Sequence, residues 1–179
     1  PAAIGFSQAS GIPYADGLIK NRYVGRTFIQ PTQAMREAGI RVKLNPLPDV
    51  LAGKRIVVID DSIVRGTTSR KLVVALREAG ATEVHMRISS PPVTHPCFYG
   101  IDTDTQDQLI AARLTLKEIE EQLKVDSLAY LSKQGMVDAA RAESGDFCTA
   151  CFDGNYPIEM DRELLASKLM LEPAGIAGQ

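Results

Sequence analysis

Residues 55–69 read "RIVVIDDSIVRGTTS". Four consecutive β-branched side chains, Ile56 to Ile59, run into two adjacent carboxylates, Asp60 and Asp61. An unbroken apolar run of this kind predicts a strand, Arg55 to Asp60, buried on both faces as in a parallel sheet. Gly66 marks a turn, and Thr67 to Ala79 predicts a helix. Leu72, Val73, Leu76 and Ala79 form its apolar face, while Arg70, Lys71, Arg77 and Glu78 face water. Gly80 ends it, and Val84 to Ile88 is the next strand. Strand, helix and strand with short connections make a βαβ crossover. The fold class is therefore α/β, with a mostly parallel sheet flanked by helices.

Outward from this unit the pattern is weaker. Pro1 to Ser10 carries apolar side chains at helical spacing, Ala2, Ala3, Phe6 and Ala9, and stops at Gly11. Tyr14 to Asn21 reads as irregular. Val24 to Gln30 reads as a loop leading into a short strand, Pro31 to Gly39 as a short helix, and Ile40 to Leu44 as extended. Asn45 to Pro48, with two prolines in four residues, reads as a loop. Downstream, Ser90 to Thr105 is loop, Leu116 to Leu123 a helix capped by Thr115, Ser127 to Leu131 a strand and Ser132 to Arg141 a helix. "ESGDFCTACFDGNYP" reads as loop, and a weak helix and a glycine-rich tail follow from Asp161. There is no internal repeat and no low-complexity linker. The domain division expected is 1–145 for the α/β body and 146–179 for a cysteine-containing segment packed on it.

At 179 residues the chain is long enough for one α/β domain with a substantial core. Its net charge of -2 gives no global attraction to nucleic acid or an acidic membrane surface. No apolar run approaches the roughly 20 residues of a membrane span. No secretory signal stands at the N-terminus. These features predict a cytoplasmic protein with neither nucleic-acid nor membrane partners. Three cysteines, Cys97, Cys148 and Cys151, argue against a disulfide framework.

The chemistry lies where the strand meets the helix. A parallel strand delivers Asp60 and Asp61 to the carboxyl edge of the sheet, where open α/β folds bind ligands. Carboxylates there accept hydrogen bonds from sugar hydroxyls or face a hard cation such as Mg2+. The turn at Gly66 opens a helix whose free N–H groups suit a phosphate, and Thr67, Thr68 and Ser69 add hydroxyl donors. A vicinal diol on one side and a phosphate on the other describe a ribose 5-phosphate. An aspartate ending a strand or a threonine capping a helix each has an ordinary structural use. The combination within one βα junction is far more specific.

This stretch resembles the phosphoribosyl-pyrophosphate (PRPP) loop of type I phosphoribosyltransferases. More narrowly, "AAIGFSQASGIPYADGLIKNRYVGRTFIQP", "VKLNP", "IDDSIVRGTTS", "HPCFYGID" and "CTACFDGNYP" resemble the glutamine PRPP amidotransferase family. The resemblance implies a type I phosphoribosyltransferase fold, truncated at its N-terminus. An N-terminal glutaminase and a short pyrophosphate-binding loop belong to family members and lie outside this chain. It implies that Asp60, Asp61, Ser62, Arg65, Gly66, Thr67, Thr68 and Ser69 bind PRPP, with Asp60 and Asp61 also near Mg2+. It implies that Lys20, Arg22 and Arg26 lie on a lid that closes over PRPP and holds the leaving pyrophosphate. Ammonia from the glutaminase is then the nucleophile, purine nucleotides inhibit, the protein is a homo-oligomer, and this chain alone is inactive.

C-x-x-C alone points to metal, cluster or redox chemistry, or to buried free thiols. One branch of the resembled family holds a [4Fe–4S] cluster on four cysteines. Cys97, Cys148 and Cys151 match three of those ligands, and the fourth lies outside this chain. Two other readings compete. A non-catalytic PRPP-sensing regulator keeps the same loop but adds a DNA-binding domain, and no basic stripe supports one. A base-salvage phosphoribosyltransferase fits poorly with the long cysteine-bearing segment after Ser89.

Overall fold

The structure, a computed structural model, describes residues 1–20, 44–101, 103, 105–141 and 147–158. The element that organises them is a three-stranded parallel sheet of β3 (Arg55–Asp60), β4 (Glu83–Ile88) and β5 (Ser127–Tyr130), in the order β3-β4-β5. Asp60 pairs with Ile88, and Ile88 with Tyr130, so these three residues form one row at the carboxyl edge. The helix α3 (Thr67–Glu78) crosses over between β3 and β4, as the periodicity of Leu72, Val73 and Leu76 requires. All three are buried, against Val84, Met86 and Ile88 of β4 and Ile119 and Leu123 of α5 (Leu116–Leu123). Truncating one of these, Leu76→Ala for example, removes side-chain volume that nothing else fills and costs about 2–5 kcal/mol.

Only one face of the sheet is packed in this way by the described residues. In β4 the buried Val84, Met86 and Ile88 alternate with half-buried Glu83, His85 and Arg87. The polar side chains satisfy one another. Glu83 accepts from Arg55 (2.6 Å) and contacts His85 Nε2 (2.9 Å). The hydroxyl of Ser127, opposite His85 in the register, lies 2.8 Å from His85 Nδ1 and accepts from Arg87 at 3.0 Å. Because a carboxylate only accepts, the contact with Glu83 places a proton on His85 Nε2.

This one-sided packing corrects the expectation for β3. Its residues Ile56 to Asp60 are half-buried, not enclosed on both faces. Across its open side stand α1 (Ala2–Ser10), which has no buried residue, and a groove of about 560 Å³ lined by Phe6, Ile12, Leu51 and Ile56 to Ile59. Gly11 ends α1 in the left-handed region (φ 73°), as its place after the apolar spacing suggested.

Several elements differ from their sequence reading. Tyr14 to Asn21, expected irregular, contains β1 (Leu18–Lys20), and Asn45 and Pro46, expected in a loop, belong to β2 (Leu44–Pro46). The two pair antiparallel, with Leu18 opposite Pro46. A proline can stand there because a two-stranded ribbon leaves edge positions that need no donor. Pro48 opens a short helix, α2 (Pro48–Leu51), from its first turn, where its missing N–H costs nothing. Arg77, expected to face water, instead reaches the Lys124 carbonyl (3.0 Å) and the Asp126 carboxylate (2.7 Å), tying α3 to the turn between α5 and β5. Thr115 caps α5 as expected, and Glu118 completes a capping box.

Ahead of α5 lie a 3-10 turn, Gln106–Gln108, and α4 (Ile110–Arg113). Beyond β5 come α6 (Lys133–Ala139) and α7 (Ala150–Asp153), the latter inside a stretch expected to be loop. The stretches expected as a lid, a short helix and an extended run between residues 21 and 43, and the weak helix from Asp161, lie outside the described residues.

Candidate functional site

The strand β3 ends on Asp60, and the chain then turns over the carboxyl edge. The Asp60 carbonyl accepts from both the N–H and the hydroxyl of Ser89 (2.9 and 3.0 Å), which pins the strand tip to the residue after β4. Its side chain accepts from the Asp61 N–H at 3.0 Å. Burial lifts the Asp60 carboxyl above its ordinary value, and the neighbouring charge of Asp61 lifts it further, against the pull of that N–H. Asp61 is exposed, and one of its oxygens accepts from the Ser62 N–H at 2.7 Å. Two adjacent carboxylates, one lifted by partial burial and like charge, suit a divalent cation or a pair of hydroxyl donors, either of which relieves the repulsion.

The loop that follows is held from below. Ile63 is buried (1% exposed), and the Val64 carbonyl accepts from the Ile110 N–H at 2.9 Å. Gly66, at φ 78°, is the N-cap of α3, and no side chain caps the helix there. The first turn of a twelve-residue helix therefore presents its N–H groups uncapped, at the positive end of the dipole. Thr67 and Thr68 are exposed beside them. Ser69 is not: at 4% exposed it turns inward, so any part it takes in holding a ligand falls to its N–H. Arg65 is exposed at the loop's crest.

The structure thus gathers Asp60, Asp61, Ser62, Arg65, Gly66, Thr67, Thr68 and Ser69 into one βα junction at the sheet's carboxyl edge. Lys20 ends β1, while Arg22 and Arg26 lie outside the described residues. The groove beside β3 is a separate feature, since its lining stops at Ile59.

The segment carrying Cys97 is joined to α7, which carries Cys151. The Cys151 carbonyl accepts from the N–H groups of Thr94 and His95 (2.9 and 3.0 Å), which draws the 94–97 segment against it. All three thiols are free. Burial pushes the Cys151 thiol up, and the nearby Cys97 and Cys148 push it the same way. Three free thiols, two of them on segments joined by these hydrogen bonds, are the kind of donor a cysteine-ligated cluster takes. Among the described residues, no group of three or more His, Cys, Asp or Glu side chains could hold a metal ion.

Sequence reasoning missed the supports: Ser89 behind Asp60, and Ile110 beneath Val64 and Gly66. Neither has a local signature, because each acts across the sheet or from a distant helix.

Fold and loop together define a type I phosphoribosyltransferase domain. Comparison with known proteins narrows that class. No family model matches the chain. It is 78% identical over 172 residues to the amidophosphoribosyltransferase of Synechococcus elongatus, covering 96% of this chain and 35% of that protein. With the amidophosphoribosyltransferase of Bacillus subtilis it shares 57% identity over 163 residues, covering 89% of this chain and 34% of the relative. The solved structure of glutamine PRPP amidotransferase from Bacillus subtilis, complexed with ADP and GMP, matches with a TM-score of 0.79 at 56% identity. That match covers 90% of this chain and 36% of the solved one. The chain belongs to the amidophosphoribosyltransferase family and spans about a third of the length of the relatives it matches. The regulator and base-salvage readings find no support among these relatives.

Proposed function

We propose that this chain forms the phosphoribosyl-transfer part of an amidophosphoribosyltransferase, which converts PRPP and ammonia to 5-phosphoribosylamine and pyrophosphate at the entry to purine synthesis. The observation that carries the proposal is the Asp60–Ser69 junction: paired carboxylates at a strand tip, followed by an uncapped helix N-terminus. The ribose hydroxyls donate to Asp60 and Asp61. The 5-phosphate accepts from the amides that open α3 and from the hydroxyls of Thr67 and Thr68.

In the reaction the ammonia nitrogen bonds to the anomeric carbon as the bond to the pyrophosphate oxygen breaks. The sugar passes through an oxocarbenium-like state, so the protein's task is positioning and charge stabilisation. Ammonia is already a nucleophile, and neither aspartate needs to act as its base. Lys20, Arg22 and Arg26 offset the charge of the departing pyrophosphate and close the site against water. Bound Mg2+ supplies further neutralisation of that leaving group, with Asp60 and Asp61 as the residues that would face it. Cys97, Cys148 and Cys151 would hold three corners of a structural [4Fe–4S] cluster, with a fourth thiolate from outside this chain.

The same phosphate subsite accounts for inhibition by purine nucleotides, which carry the same 5-phosphate. Ammonia comes from a glutaminase partner domain, and the working protein is a cytoplasmic homo-oligomer. Among the described residues no helix is long and apolar enough to cross a membrane.

The test is an assay of the protein at its full natural length with PRPP, Mg2+ and free ammonia. Asp60→Asn and Asp61→Asn are each expected to lose phosphoribosylamine formation by about a hundredfold or more. Full activity in both variants would remove the site assignment.

A further inference from the structure

We infer that Ile110 is a positioning residue for the phosphate loop. Its N–H and its Cδ1 methyl together set the depth and orientation of that loop, and so the affinity for a ligand bearing a phosphomonoester. The inference rests on the reading of the Asp60–Ser69 junction as the ribose 5-phosphate site.

Two contacts carry it. The Ile110 N–H donates to the Val64 carbonyl at 2.9 Å. In a trans peptide the C=O and the following N–H point in opposite directions. A Val64 carbonyl drawn down onto α4 therefore turns the Arg65 N–H up and away from the core, to the side where an anion would sit. The second contact is steric. A Cβ added at Gly66 would stand 2.8 Å from Ile110 Cδ1 and 3.3 Å from a Leu123 methyl. Ile110 is 3% exposed and part of the core, so its methyl has little room to retreat. Glycine at 66 thus meets two requirements, the positive φ of 78° and the close approach of Ile110. The loop rests on this methyl, and lifting it off displaces the amides of Arg65 to Ser69 together.

The double-mutant cycle that tests this uses Gly66→Ala and Ile110→Val, the second of which deletes the one methyl that the added Cβ would meet most closely. Equilibrium affinity for PRPP with Mg2+ is measured on the protein at its full natural length, well below each variant's Tm. Gly66→Ala is expected to lose affinity about tenfold or more, Ile110→Val about threefold because the loop loses the methyl it rests on, and the double variant to regain about fivefold over Gly66→Ala alone. Ile119→Val removes the same methyl from another buried isoleucine, which is not among the atoms near Gly66. Combined with Gly66→Ala it should restore nothing. If Gly66→Ala does not fold, Gly66→Asn replaces it, since asparagine tolerates positive φ and leaves the overlap as the defect. A double variant no tighter than Gly66→Ala, or equal rescue by Ile119→Val, overturns the inference while leaving the site assignment intact. A wild-type protein without affinity for PRPP overturns the site assignment first, and this inference with it.

Discussion

At the acidic tip, burial first and the charge of Asp61 second hold the Asp60 carboxyl above its ordinary value. An acid lifted on folding binds its proton more tightly in the native state than in the unfolded chain. Stability therefore falls as pH rises from the ordinary carboxylate value of 3.8 through the lifted one, and the full penalty is present at neutral pH. Asparagine keeps the acceptor for the Asp61 N–H and carries no charge. Asp60→Asn is therefore expected to raise Tm at pH 7 while abolishing PRPP turnover, and paired thermal melts and assays would show both. A Tm that falls would mean that the buried charge is compensated by something else. The hydroxyl of Tyr130, in the same cross-sheet row, is buried without a hydrogen-bond partner among the described residues, and burial pushes its pKa up to about 12. Tyr130→Phe removes an unsatisfied group at almost constant shape. It should be neutral or stabilise by about 1 kcal/mol in urea unfolding.

At the scale of elements, the crossover was legible and the struts around it were not. The run from Ile56 to Ile59, the helical spacing of Leu72, Val73 and Leu76, and the Thr115 cap each specify a local structure that tertiary contacts leave in place. The strands β1 and β2 are three residues each and depend on pairing with one another, which no short-range pattern reveals. Arg77 looked like a solvent-facing cation because its partner Asp126 lies far along the chain. That carboxylate also accepts from the part-buried Val84 N–H at 2.6 Å. The ion pair is about a third exposed and worth under about 1 kcal/mol, whereas stranding a backbone donor costs about 1–3 kcal/mol. Asp126→Ala should therefore destabilise more than Arg77→Ala in urea titrations, and the reverse order would put the weight on the ion pair. Between α6 and α7, hydrogen bonds from Lys133 foremost, then from the Asn155 N–H and the Thr149 hydroxyl, hold the Asp153 carboxyl at about 2. Because that value is depressed, its stabilising effect is present above the ordinary value of 3.8 and is lost as pH falls toward about 2. Asp153→Asn should flatten the acid limb of the stability curve in that window, and an unchanged limb would remove Asp153 as its source.

Over the whole molecule, the described residues form a sheet with one packed face and a carboxyl edge that carries the candidate site. Its core lies between β3-β4-β5 and the helices α3 and α5, and the carboxyl edge projects the Asp60–Ser69 junction away from it. The strand, turn and helix that make this junction were readable in advance, since they occupy one continuous stretch. The contacts of Ile110 and Ser89 were not, since they exist only once the chain is folded. The inward turn of Ser69 was also hidden, because three hydroxyl residues in a row look alike until the helix gives each a direction. The most direct measurement of the central claim is a crystal structure of the protein with PRPP and Mg2+ bound. The account predicts the 5-phosphate within hydrogen-bonding distance of the N–H groups from Arg65 to Ser69, and both ribose hydroxyls on Asp60 and Asp61. A phosphate seated elsewhere, with the junction from Asp60 to Ser69 making no contact to the ligand, would contradict it.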